Sequence, residues 1–349
     1  MTRGTRRLSG RAARWGILGL AVMTAAACSS GGNGASGGAN AGGSSVTLKI
    51  GYIADVHGAG LVTAADQNGY WAKAGVNAQT TKFDNGPDEI EAIAAGKLDI
   101  AYIGPGALWS AVAGKATVIA VDSLSNADAL VADPSKVPNL KALAGKKIGY
   151  PKGTSSEMIL DLALKQAGLT SKDVDLVPMD QNLIPTAYLS GQIDVAAPFP
   201  PGVAEILAKS TSSKVIVSDQ NFQPQYVFPE VWVASPALVK QHPQAVVDFL
   251  KAFDMANDWR KGHISEAVNL AAKDAGTPAT GQQYLAAHTT WLSSAQLLAD
   301  NRSGQTGKWL SALNGLFVQT GQDPSVVPSS NYDDTALFQQ AYNAVNPSS

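Results

Sequence analysis

Short apolar runs alternate with helix-spaced apolar positions through most of the chain. Ile90, Ile93 and Ala94 keep helical spacing, and Gly96 stands where a C′ glycine would end that helix. Leu98–Ile103 then reads as a short buried strand. Further on, Met158–Ile159, Leu162–Ala163 and Gln166–Ala167 form one helical face, with Gly168 as its stop. Strands alternating with helices predict a mostly parallel, helix-covered sheet. The last third changes character. Val246, Phe249, Leu250, Phe253, Ala256 and Trp259 are helix-spaced, and helical stretches continue through Trp309–Phe317, predicting a helical C-terminal region packed on the first α/β unit.

The pattern also repeats. Lys49-Ile50-Gly51-Tyr52 recurs as Lys147-Ile148-Gly149-Tyr150, and Gly96-Lys97-Leu98-Asp99-Ile100-Ala101 recurs as Gly191-Gln192-Ile193-Asp194-Val195-Ala196, in the same order. A duplicated α/β unit makes two lobes, with a cleft at the carboxyl ends of their strands, where open α/β sheets bind ligands. Ala129–Ala132 and Val231–Ala234 read as the two strands crossing between lobes. The first lobe is then 46–131 with 232–349, and the second is 132–231.

The N-terminus reads as an address. Five arginines precede the apolar stretch Trp15–Ala27, as in a signal peptide over 1–27. Such a stretch covers only about 20 Å, against about 30 Å for a hydrocarbon core. Ala25-Ala26-Ala27-Cys28 resembles a bacterial lipobox, and Cys28 is the chain's one cysteine. Ser29–Ser45 contains only Ser, Gly, Asn and Ala, so 28–45 is expected to be a lipid anchor and a flexible tether. That places the protein outside the cytoplasm, on the outer face of the cell membrane.

Composition narrows the chemistry. Of 349 residues, 45% are apolar and 15% charged, which suits a globular body with a lean surface. Without the N-terminal arginines, 21 basic residues face 28 acidic ones, which argues against a nucleic-acid partner. A single cysteine excludes a disulfide within a monomer, and His57, His242, His263 and His288 stand at no metal-ligand spacing. No metal, cofactor or catalytic set is expected. Beyond the N-terminus the only arginines are Arg260 and Arg302.

The candidate chemistry lies at two strand-to-helix turns. Thr154, Ser155 and Ser156 open a helix after a strand, and free N–H groups there, with the helix dipole, form an anion seat. Gly104-Pro105-Gly106-Ala107 stands at the matching place in the first lobe. Two helix starts facing one cleft would bracket an oxyanion without an arginine clamp. Phe199 and Trp232, with Tyr52, Tyr102 and Trp109, are candidates to enclose a ligand's stem; core packing is the plain alternative for each. Asp55, Asp84, Asp128 and Glu230 would suit an ammonium group, and if several line the cleft a cationic ligand competes. Gly145-Lys146-Lys147 lacks the earlier glycine of a Walker loop, and Glu157 replaces the second glycine of a nucleophile elbow.

Taken in order, several segments resemble the taurine/aliphatic-sulfonate/nitrate branch of periplasmic-type solute-binding proteins. They are Phe83-Asp84-Asn85-Gly86, Ala94–Asp99, Ile103-Gly104-Pro105, Asn126–Val131, Leu143–Ile148, Gly153–Ser156, Gly191–Asp194, Val231-Trp232-Val233 and His242-Pro243. The resemblance implies a type II periplasmic binding protein: two α/β lobes joined by two hinge strands, closing on a small solute and delivering it to an ABC permease with separate ATPase subunits. It also implies that the loops matching Gly153–Ser156 and Gly104–Ala107 hold a sulfonate, so a taurine-like ligand and a monomeric, non-enzymatic protein are expected. Glu157 departs from the His or aromatic residue often found there. The alternatives are a cationic or nitrogen-rich solute held by cleft carboxylates, and a thiamin-pyrimidine-precursor binding protein or enzyme, for which His57 is the cleft histidine.

Overall fold

The computed structural model describes residues 45–347. The expected signal peptide, Cys28 and the expected tether up to residue 44 lie outside the described residues. The strands are β1 (Val46–Ile53), β2 (Val76–Phe83), β3 (Ile100–Ile103), β4 (Thr117–Ser125), β5 (Ala129–Ala132), β6 (Lys147–Tyr150), β7 (Asp175–Pro178), β8 (Val195–Ala196), β9 (Lys214–Ser218), β10 (Phe228–Ala234) and β11 (Thr289–Thr290). They form a six-stranded sheet in the order β11-β4-β10-β3-β1-β2 and a five-stranded sheet in the order β7-β6-β8-β5-β9. Each sheet, with its helices, is called a lobe below.

The sequence repeat is a structural repeat. In the first sheet β1 runs parallel to β2 and β3, and antiparallel β10 follows. In the second, β6 runs parallel to β7 and β8, and antiparallel β5 follows. Even the register is kept: Ile50 and Gly51 pair with Ile100 and Ala101, as Ile148 and Gly149 pair with Val195 and Ala196. The aspartate ahead of each second strand closes the ladder. Asp99 accepts from Lys49 N–H at 2.8 Å, and Asp194 from Lys147 N–H at 3.0 Å.

The predicted crossing strands are placed differently. Ala129–Ala132 is β5, inside the second sheet, and Val231–Ala234 belongs to β10, inside the first. The chain passes between sheets in 126–128 and 219–227, just outside those strands. Their pleated hydrogen bonds commit each run to one sheet, so the crossing falls to the short polar segments beside them. The two crossings are tied together: Asp219 N–H donates to the Asp128 carbonyl, and Asp128 N–H to the Asp219 carboxylate, both at 3.1 Å.

The C-terminal helices pack as expected on the first lobe, with one addition. Val246, Phe249, Leu250 and Phe253 of helix Pro243–Gly262 are buried in the main core. Helix Ala279–Ala287 reaches both lobes, with Leu285 in the main core and Tyr284 against the second lobe's separate cluster around Val203 and Ile206. Its residues therefore join the cleft wall.

Candidate functional site

A cavity of about 630 Å³ lies between the lobes. Its wall is built from the carboxyl ends of β1, β2 and β3, the crossing residue Asp128, the helix start Thr154–Ser155, Phe199 and Glu230. Gln282 and Leu285 of the C-terminal region complete it. Of the candidate residues, Asp55, His57, Asp84, Gly104, Asp128, Thr154, Ser155, Phe199 and Glu230 line this cavity. Pro105, Gly106, Ser156 and Trp232 do not. Trp232 is fully buried in the first lobe, where its Nε1 donates to Asp122 at 3.0 Å. Position along the strand explains the split: Glu230 and Trp232 both lie beside Tyr102, but only Glu230 reaches the cleft.

Three carboxylates converge on this space. Asp55 precedes helix Gly58–Gln67, and its Oδ1 accepts from the N–H groups of His57 at 2.9 Å and Gly58 at 2.8 Å. Asp128, at the crossing, accepts from the Ser155 hydroxyl of the second lobe at 2.9 Å. Glu230 accepts from the Tyr102 hydroxyl at 2.7 Å. Loss of water raises all three: Asp55 to about 7, Asp128 to about 6, and Glu230 well above the carboxylate range, where Asp128's charge adds to the rise. Among the described residues, Asp55 Oδ2 and Glu230 Oε1 receive no hydrogen bond from the protein, and Gln282 Oε1 is buried without a partner. The lining lysines, Lys82 and Lys209, are ion-paired with Asp274 and Glu205. Arg260 is spent inside the core on Asp122, at 2.9 Å with both side chains fully buried.

Three donors of the expected anion seat are occupied. The Thr154 hydroxyl donates to the Pro151 carbonyl at 2.7 Å, and the Ser155 hydroxyl to Asp128. Gly153 N–H donates to the Glu157 carboxylate at 2.5 Å, so the residue that departs from the sulfonate-binding pattern supplies the loop's own anion. Gly106 abuts the facing backbone so closely that a methyl group on it would lie 2.1 Å from Ser155 N. The two helix starts face one another, as expected, and at Gly106 they meet backbone to backbone.

His57 is buried, its Nε2 lies 3.0 Å from Thr289 Oγ1, and its ring packs 5.1 Å from Trp291. Burial lowers its pKa to about 4, so it is a neutral imidazole. Asp84 is exposed at the cleft mouth.

Residues 57–267 match the family described as NMT1/THI5 like. The chain belongs to the NMT1/THI5-like family. A Brucella abortus member named as a binding protein is 33% identical over 287 residues, spanning 82% of this chain and 90% of its own. The taurine-binding periplasmic protein of Escherichia coli is 25% identical, spanning 80% of this chain and 88% of its own. Among solved structures, the alkanesulfonate-binding protein SsuA from Xanthomonas axonopodis pv. citri superposes with a TM-score of 0.66 at 19% identity, over 82% of this chain and 98% of that one. That likeness establishes the two-lobed periplasmic binding protein fold.

Two buried groups of this NMT1/THI5-like chain escaped sequence reasoning. Glu89, in the first turn of helix Gly86–Ala94, is fully buried and neither carboxyl oxygen has a hydrogen-bond partner. Burial, with Asp55's charge second, holds its pKa well above the usual range. Asp219 backs Asp128 at the crossing and accepts from Ser125 at 2.8 Å. Glu89 had a signal: it shares helical phase with buried Ala92 and Ile93. Asp219 and Gln282 had none, because their contacts lie 91 and 228 positions away along the chain.

Proposed function

We propose that this chain is the extracytoplasmic solute-capturing subunit of an ABC importer, and that its cleft takes a small cationic or nitrogen-rich solute. The observation that carries the ligand class is the convergence of Asp55, Asp128 and Glu230 on one cavity whose lining lysines are already paired. Buried carboxylates without cations are costly, and a ligand that brings positive charge or N–H donors offsets that cost. Asp55 Oδ2, Glu230 Oε1 and Gln282 Oε1 are the acceptors it would engage.

On this reading 46–125 with 228–347 and 129–218 are the two moving bodies, turning about the segments at 126–128 and 219–227. Closure removes the solute from water and presents one shape to a permease, whose separate ATPase subunits supply the energy. Cys28 carries the lipid, the tether holds a monomeric body off the membrane, and no catalytic step is assigned. A small sulfonate is the second reading, supported by the taurine- and alkanesulfonate-binding relatives and by the Thr154 and Ser155 hydroxyls in the wall.

Titration calorimetry of the purified chain against a guanidinium compound, an aminopyrimidine, taurine, methanesulfonate and nitrate separates the readings. Heat with either of the first two, and none with methanesulfonate or nitrate, is the expected result. Saturable binding of methanesulfonate without that of any nitrogenous cation would overturn the ligand class.

A further inference from the structure

At Gly106 the seam between the lobes is backbone on backbone. Gly106 in the first lobe's turn lies against Thr154 and Ser155 of the second, where a Cβ would stand 2.1 Å from Ser155 N and 2.2 Å from the Thr154 carbonyl carbon. Trp109 Nε1 donates to the Gly153 carbonyl at 3.4 Å, and the Pro87 ring faces the same glycine. Gly106 does not adopt a left-handed backbone, so its own conformation would accept alanine. The need for glycine there comes from the opposite lobe alone. Two residues away in the same turn, a Cβ on Gly104 would meet nothing closer than 3.4 Å, the Glu230 side chain. The contrast is local and steric.

From this contact we infer that Gly106 is the closure gate of the protein: the missing side chain permits the two lobes to meet, and any side chain there holds the cleft ajar. The inference rests on the two-lobed solute-binding reading but not on the ligand's identity. Backbone cannot retreat as a flexible side chain can, which makes the gate sharp.

The test compares Gly106→Ala with Gly104→Ala and with Gly315→Ala, whose Cβ would meet open space. All three are expected to keep wild-type circular dichroism. Only Gly106→Ala is expected to enlarge the radius of gyration by small-angle scattering and to speed amide exchange in 104–109 and 153–157 by about tenfold or more, with strand amides unchanged. Trp109→Phe, which loses the seam's hydrogen bond and part of the ring, should show a smaller rise in exchange over 153–157. Unchanged scattering and exchange in a folded Gly106→Ala would overturn the gate. If Gly106→Ala does not fold, unchanged exchange in Trp109→Phe overturns it instead. Because none of these readouts uses a solute, failure of the ligand class in calorimetry leaves this result standing, and the converse also holds.

Discussion

The two lobes share one frame and differ in what lies under it. In each, a glycine on the strand between two parallel partners (Gly51 or Gly149) sits beneath a leucine or isoleucine of the repeat: a Cβ would come within 2.5 Å of Leu98 in one and Ile193 in the other. Counting back from the repeated glycines Gly96 and Gly191, Glu89 in the first lobe corresponds to Ile184 in the second, and both are fully buried. The first lobe thus carries a buried acid where its twin carries a hydrocarbon. The cleft repeats the asymmetry. Asp55 and Glu230 come from the first lobe and Asp128 from the crossing, whereas the second lobe contributes hydroxyls that are already donating. Strand register and glycine clearance are backbone properties that a few residues fix, so they survive duplication; electrostatics can change with one side chain while the frame stays.

Exchanging the two buried positions strains that comparison most. Ile184→Glu puts an unpartnered carboxyl into an apolar core and should cost about 3 kcal/mol or more. Urea unfolding measures it, and a cost under about 1 kcal/mol would mean that the second lobe tolerates what the first was thought to accommodate specially. In the cleft, Asp128→Asn should weaken a guanidinium or aminopyrimidine solute by about 30–100-fold, as expected when a buried charge-assisted contact is lost. Calorimetry reads it, and Ser155→Ala should have a smaller effect because it removes only a protein-side donor.

The pH response follows from the direction of the shifts. Asp55 and Asp128 have folded pKa values of about 7 and about 6, above the 3.8 of an unperturbed aspartate. The folded state therefore holds more protons than the unfolded one between about pH 4 and 7, and the stability they contribute is lost as pH rises through that window. The solute-free protein should melt at higher temperature at pH 5 than at pH 7.5, each kcal/mol being roughly 2–4 °C for a chain of this size. A cationic solute binds the ionised forms, so its affinity should fall as pH drops below about 7, by up to about tenfold per pH unit for each carboxylate that must ionise. Scanning calorimetry and titration at both pH values test the pair. The smallest effect is the mirror of the first: Glu89→Leu should stabilise the first lobe by about 1 kcal/mol, by removing an acid without a partner. A destabilised variant would show that Glu89 is held by contacts beyond ordinary hydrogen bonds.

Much of the frame was legible because it depends on local spacing. The Lys-Ile-Gly-Tyr and Gly-x-Leu/Ile-Asp pieces announced two equivalent strand pairs, and their register proved equivalent. The turns Gly104–Ala107 and Gly153–Ser156 were correctly paired across the cleft. What they hold is a separate matter, since a sequence displays donors without the acceptors they meet. Glu157 was visible as a departure, but that it would take the Gly153 N–H required the folded loop. The crossing strands were misplaced by a few residues for a related reason: apolar runs declare burial, and which sheet buries them is a matter of partners.

The chain alone determined a duplicated α/β body, its helical C-terminal third and the residues available to a cleft, because periodicity, glycine stops and repeated motifs act over a few positions. Tertiary structure decided the cleft's sign. It brought Asp55, Asp128, Glu230 and Gln282 to one cavity, paired the nearby lysines and Arg260 with acids elsewhere, and pressed Gly106 onto the facing backbone. Charge and clearance are sums over distant neighbours, and only the fold sets those distances.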